Sequence, residues 1–239
     1  MTMKSLRCAC MTLPILMFGN VARAQSEQNQ IAASVNLVSD WVWRGLSQTE
    51  GGPALIGEVK WNHQSGFFAG AVAANFSSDR GRDSGLAVIP FFGFNRTLGG
   101  IHFDSGFLHR EYIGARNGSI DELSFSAGFR LGAISLRPGI FYDLHHYLRG
   151  HPTYLYVDGR TKLAQIGDTP VSLSVHVGSF DAPGSANDYS TWQLGLSAPA
   201  GGITYVVKLS NADIDANRAR LEGSRHGGTR LVLSAFKLF

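Results

Sequence analysis

Fifteen ionisable residues of this chain fall at alternate positions of short patterned runs, on the phase opposite to the aliphatic and aromatic side chains. The basic members are Arg44, Lys60, Arg110, Arg130, Arg137, Arg160, Lys162, Lys208 and Arg230, and the acidic members are Asp40, Glu58, Asp104, Glu122, Asp143 and Asp158. Side chains two apart on extended backbone share a face, so these groups would line one surface from many strands rather than converge on a single point. Charges arranged around a water-filled passage set its ion selectivity, and the excess of cations favours anions. In the competing arrangement the same charges pair across a narrow interior and close it.

Other chemistry is harder to assemble. Lipid hydrolysis at a membrane surface needs a serine and a histidine within hydrogen-bond reach and aimed outward. His109 with Ser105 is the best candidate, on the same phase as Phe103 and Phe107, but residues four apart on a strand lie roughly 13 Å apart. His145 and His146 point to opposite faces and have no acid at ligand spacing. The stretch Ser78-Asp79-Arg80-Gly81-Arg82-Asp83 has acids for calcium, but its arginines oppose a cation. The chain is therefore expected to be no enzyme and to hold no metal or cofactor.

The elements that carry these residues are strands. Alternation of apolar and polar residues runs over 31–43, 54–62, 66–76, 86–97, 101–112, 120–131, 134–147, 152–166, 170–181, 188–199, 203–211 and 229–239. Short turns at 63–65, 98–100, 132–133, 167–169 and 200–202 alternate with longer polar connections at 44–53, 77–85, 113–119, 182–187 and 212–228; the connection at 148–151 is shorter than its peers. An even number of strands with loop length sorted by end is the arrangement of transmembrane β-barrels, turns periplasmic and loops outside. Val35, Leu37, Trp41 and Trp43 take the lipid phase of the first strand, the two tryptophans forming an outer aromatic belt, with Asn36, Asp40 and Arg44 inward. Trp61 fits the periplasmic belt. Leu123, Phe125, Ala127 and Phe129 face outward, as do Leu173, Val175 and Val177, with Ser174 and His176 inward; 86–94 is apolar on both phases. The 212–228 connection is the only one long enough to fold inward as a constriction, and a solvated surface loop is the alternative.

Residues 1–24 read as a secretory signal peptide: Lys4 and Arg7, an apolar stretch over 11–18, then Ala22-Arg23-Ala24, with Gln25 the expected mature start. Both cysteines, Cys8 and Cys10, lie within it, so no disulfide framework remains. The full chain has 21 basic and 18 acidic residues, and removing Lys4, Arg7 and Arg23 leaves 18 of each sign. A basic pI is then no argument for nucleic acid, and none is expected as a partner. Residues 25–239 form one barrel domain whose last run ends on an aromatic, Phe239, expected to serve as the assembly signal and to pair with the first strand, since an open edge in hydrocarbon leaves polar backbone unsatisfied.

The run Ser39-Asp40-Trp41-Val42-Trp43-Arg44-Gly45-Leu46-Ser47-Gln48-Thr49, continued to Pro53-Ala54, resembles the opening motif of the TorF-type porin family. Asp104-Ser105-Gly106, Phe141-Tyr142-Asp143 and the terminal Ser234 to Phe239 resemble it more loosely. The resemblance implies an outer-membrane barrel and a porin role. Two positions depart from the family pattern: Trp41 stands where a smaller aromatic belongs, and Lys237 stands on the lipid phase, where it would snorkel to the interface. Taken as residues, Asp40 and Arg44 share a face and would brace the rim where Gly45 lets the chain turn.

The expectation is an all-β protein: a transmembrane antiparallel up-and-down β-barrel of about 12 strands in the cell outer membrane, after a cleaved signal peptide. Its expected role is passive diffusion of small hydrophilic, anionic solutes. A closed structural or adhesive barrel acting through its loops is the alternative, and an outer-membrane lipid hydrolase a weaker one. Expected partners are outer-membrane lipids, lipopolysaccharide, the assembly machinery and the solutes.

Overall fold

Alternation of apolar and polar side chains becomes alternation of outward and inward faces in a computed structural model, which describes residues 29–78, 83–115, 119–144, 150–183, 188–214 and 227–239. The expected signal peptide, His145, His146 and most of the 212–228 connection lie outside these residues. The elements are β1 (Gln30–Val38), β2 (Val42–Trp43), β3 (Leu46–Ser47), β4 (Ala54–Asn62), β5 (Phe67–Ser78), β6 (Asp83–Leu98) and β7 (Ile101–Ile113), followed by β8 (Ile120–Leu131), β9 (Ile134–Asp143), β10 (Thr153–Ile166), β11 (Thr169–Asp181), β12 (Tyr189–Ala200), β13 (Ile203–Asp213) and β14 (Arg230–Leu238). Twelve of them close an antiparallel barrel in which each strand pairs with its sequence neighbour and β1 pairs with β14; β2 and β3 form a separate two-stranded hairpin.

Closure is made by the last strand. Ser34 to Val38 pair with Leu238 to Ser234, and the Phe239 N–H donates to the Ala33 carbonyl at 2.8 Å. No backbone edge is left, as a sheet in hydrocarbon requires. The short turns expected at one end are present. Gly99 and Gly100, both at positive φ (58° and 81°), form one of them, in the left-handed region that tight hairpins favour.

Outside, Leu37, Leu55, Val59, Phe92, Leu123, Phe125, Leu155, Val175, Val177, Leu194, Leu196, Val207, Leu231 and Leu233 are all exposed. Such a continuous apolar surface far exceeds what a water-facing protein carries and is the belt of a barrel seated in lipid. Trp61 is exposed next to the turn at His63, at the short-turn end of the barrel.

Two expectations fail at the first strand. It ends at Val38, not at residue 43, and Trp41 (2% exposed) and Trp43 (9%) are buried rather than lipid-facing. The chain leaves the wall after Val38 and turns inward, so parity no longer assigns a side. The 44–53 connection is accordingly no external loop: Leu46, Ser47 and Thr49 are buried. Trp41 joins Val38, Ile56, Phe68, Val72, Phe76, Ala87, Ile89, Phe91 and Leu108 in an apolar cluster inside the barrel. This explains the double-sided apolar pattern of 86–94: its inner face, Ala87, Ile89 and Phe91, packs against the inserted segment instead of facing water.

Candidate functional site

The inserted hairpin is built on a two-residue turn. Val42 pairs with Ser47 and Trp43 with Leu46, leaving Arg44 (φ 48°) and Gly45 (φ 80°) at the corner, both left-handed. That is the geometry for which Asn-Gly is usual; an arginine there costs roughly 1–2 kcal/mol. Gly45 is required for a second reason. A Cβ on it would come within 2.8 Å of the Ala212 Cβ, 2.9 Å of the Asn211 carbonyl and 2.9 Å of the Thr191 Cγ2, so the hairpin corner abuts β12 and β13.

The root of the hairpin is held by Asp40. Its carboxylate accepts from Ser47 Oγ at 2.5 Å and from Arg230 Nη1 at 2.8 Å, tying the hairpin to β14. Ser47 Oγ in turn accepts from the Thr49 and Gly51 N–H groups (3.2 and 2.9 Å). Thr49 Oγ1 accepts from the Trp41 N–H at 3.0 Å and donates to the Gly52 carbonyl at 2.6 Å. Gln48 Oε1 accepts from Tyr112 Oη of β7 at 2.8 Å. Ser47 and Thr49 of the motif thus satisfy backbone groups removed from both ladder and water, and Gln48 ties the hairpin to β7.

At the tip, Arg44 Nη2 lies 2.6 Å from Glu122 Oε1, and Arg110 Nη2 lies 3.3 Å from Glu122 Oε2. Glu122 is 2% exposed. The Arg44 guanidinium sits over the rings of Phe141 (4.6 Å) and Tyr154 (4.9 Å), and that of Arg110 over Trp43 (4.1 Å). Buried guanidinium groups of this kind are held by a shared carboxylate and by ring faces together. Asp40 and Arg44 were expected to brace the rim jointly. They instead hold the two ends of the hairpin through different partners.

Below the tip a stack of rings runs along β9 to β11. Phe141, Tyr156, Tyr154 and His176 lie with neighbouring planes 17–29° apart and centroids 5.7–6.0 Å apart. Tyr156 lies across Gly139 and Tyr154 across Gly178, where an added Cβ would collide with the phenol. Inward glycines let these rings lie against the wall. Tyr154 Oη is 2.6 Å from His176 Nε2 and 2.7 Å from Thr191 Oγ1; His176 Nδ1 is 2.8 Å from Asp158 Oδ1, and Arg137 Nη2 donates to Asp158 Oδ2 at 2.9 Å.

The remaining charges named from the sequence also take the inward phase. Lys60 lies 4.1 Å above the Phe68 ring and interacts with Glu58 and Asp104. Lys208 interacts with Asp40, and Asp143 lies opposite Glu122 in the ladder and interacts with Arg110. Arg130, Arg160 and Lys162 stand apart from these, toward the periplasmic turns, and are half-buried to exposed. The ring stack, Thr191 and the sharing of Glu122 by two arginines were missed from the sequence, although Glu122 itself was named. The inward phase of Tyr154 and Tyr156 and the glycines opposite them were the available signals.

On the outer surface His109 does not meet Ser105, in keeping with their spacing along one strand. His109 Nδ1 is 2.6 Å from Asp121 Oδ1, across the strand pair, and Nε2 is 3.4 Å from Glu111; Ser105 Oγ donates to the Phe94 carbonyl at 3.3 Å.

Comparison with solved structures returns barrels. The NanC porin superposes with a TM-score of 0.51 at 11% identity, over 87% of this chain and 98% of that one. An outer-membrane channel from Pseudomonas putida F1 gives 0.49 at 12% identity, over 92% and 98%, and LpxR from Salmonella typhimurium gives 0.46 at 8%, over 87% and 99%. At such identities the likeness is one of fold. Together with the lipid-facing belt, that fold makes the protein an outer-membrane β-barrel. No curated protein matches the sequence. A family model does, over residues 22–234, a span that takes in the hairpin, the ring stack and eleven complete barrel strands; the chain belongs to the family described as bacterial protein of unknown function, Gcw_chp.

Proposed function

We propose that the protein is a narrow porin-like channel for small hydrophilic anions, with the inserted hairpin as its constriction. The observation that carries this reading is that the hairpin is fixed by ion pairs and hydrogen bonds, Asp40 to Arg230 and Arg44 to Glu122. Its polar neighbours on β10 to β13, among them Asp158, His176, Gln193 and Lys208, leave one wall of the lumen hydrophilic. Cations outnumber anions on the inward phase, and low-dielectric walls focus that field on a passing ion. The TorF-type resemblance agrees with this role. Lipid, lipopolysaccharide and the assembly machinery are its surroundings rather than its substrates. Hydrolysis has no place in this reading, since the serine nearest His109 on its strand is bonded elsewhere.

Conductance of the folded protein in a planar bilayer under a salt gradient tests the reading. Small discrete steps with an anion-biased reversal potential are expected, and replacing residues 41–49 by a short glycine linker should enlarge the unit step several-fold. Silence from both proteins overturns the proposal. The second reading, a closed barrel acting through its loops, is favoured by the apolar cluster that Trp41 completes against β4 to β7. It expects silence from the intact protein and steps only from the variant without the hairpin.

A further inference from the structure

The cations inside the barrel fall into two sets. Arg44 and Arg110 share Glu122, Arg230 meets Asp40, and Arg137 meets Asp158. Lys60 and Lys208 interact with carboxylates as well. Each of these charges faces at least one carboxylate. Arg130 and Arg160 differ: among the described residues neither side chain has a hydrogen bond or an ion pair. The nearest carboxylate on the strand of Arg160, Asp158, is occupied by Arg137 and His176.

The register brings these two arginines together. Arg130 of β8 lies directly opposite Ser135 of β9, and Ser135 lies directly opposite Arg160 of β10. All three take the inward phase near the periplasmic turns. Two strand spacings, about 10 Å, separate the arginine Cα atoms, a gap that two guanidinium stems can close around one small group with the Ser135 hydroxyl between them. Lys162, two residues further along β10, adds a third positive charge and is tied to Gln165. An uncompensated pair of guanidinium forks matches the paired oxygens of an oxyanion and binds it through charge-assisted hydrogen bonds.

We propose that Arg130, Ser135 and Arg160 form a binding site for a dianionic oxyanion, a phosphate group, at the periplasmic mouth of the lumen. The purpose of the site, collecting or releasing an anion below the constriction, rests on the channel reading; its chemistry does not. The group arrives either as inorganic phosphate or carried on a solute as a phosphate ester.

Calorimetric titration of the full folded barrel in detergent at low salt, with inorganic phosphate and separately with glucose 6-phosphate, tests the site. Heat-modifiable migration on electrophoresis shows that each variant is folded. Saturable binding is expected, weakened about tenfold by R130Q or by R160Q, as loss of one charge-assisted contact implies. R160K, which keeps the charge and loses the fork, should fall between the wild type and R160Q. K237Q, on the lipid face, should bind as the wild type does. Tighter binding of the ester supports the site with a solute-borne group, and tighter or equal binding of the free ion supports it with inorganic phosphate. No saturable binding of either, or equal binding by the folded R130Q/R160Q variant, overturns the proposal. Binding by a barrel that conducts nothing would sink the channel reading and leave the site standing, and conductance without binding would do the reverse.

Discussion

Glu122 joins the barrel wall to the inserted hairpin through one carboxylate. It is buried, faces two guanidinium groups, and belongs to the wall while one of its partners belongs to the inserted segment. Removing one partner of a buried ion pair costs about 3–5 kcal/mol, since the other charge is left in a medium that cannot solvate it. E122Q is therefore expected to undock the hairpin, read as new protease cleavage within residues 41–52 at the outer face and as a larger unit conductance. Full protection in E122Q would mean that the hydrogen bonds at Asp40 suffice alone. The neighbouring position separates two effects of opposite sign. R44N relieves a left-handed arginine, a gain of roughly 1 kcal/mol, and abolishes the pair with Glu122, a loss of about 3 kcal/mol. The loss dominates, so R44N should also undock the hairpin, and a stabilised hairpin in R44N would show that backbone strain outweighs the ion pair.

At the scale of elements, the hairpin and the barrel wall are separable. The root of β2 and β3 is bonded through side chains to β7 and β14, while the ladder from β1 directly to β4 is complete from Gln30 to Val38 without them. A change confined to the corner should then alter the lumen without opening the sheet. G45V adds branched carbon where Thr191, Ala212 and the Asn211 carbonyl already stand and where φ is 80°. The expected result is a variant whose heat-modifiable migration is unchanged and whose conductance rises toward that of the hairpin-less protein. Loss of the folded band in G45V would show that the barrel needs its insert in order to form.

The whole molecule is held by closure and by the solvent around it. β14 pairs with β1 as well as with β13, so deleting residues 234–239 removes one complete seam and exposes unpaired backbone to hydrocarbon. Such a chain should fail to give a heat-modifiable band. A charge on the outer face acts through the lipid instead: V175R, on an exposed position of β11, is expected to cost about 2–4 kcal/mol if the site lies near the bilayer midplane, measured as a fall in the urea midpoint in lipid vesicles. An unchanged midpoint would mean that the outward belt does not meet hydrocarbon at that level.

The number of strands, their order and their two faces were legible in the sequence because an alternation of period two is local. Leu123, Phe125, Leu173 and Val175 declare their side without reference to any other strand. The inward phase of the charged residues was legible for the same reason. Where the chain leaves the sheet after Val38, that local rule ends, and Trp41 and Trp43 were accordingly assigned to lipid although they lie inside. Only the tertiary structure decided the fate of the motif 39–49, the sharing of Glu122 by Arg44 and Arg110, and the difference between paired Arg137 and the side chains of Arg130 and Arg160, unpaired among the described residues. Each depends on residues distant in the chain that the closed barrel sets face to face, and a buried charge finds its partner by proximity in space rather than by spacing in sequence.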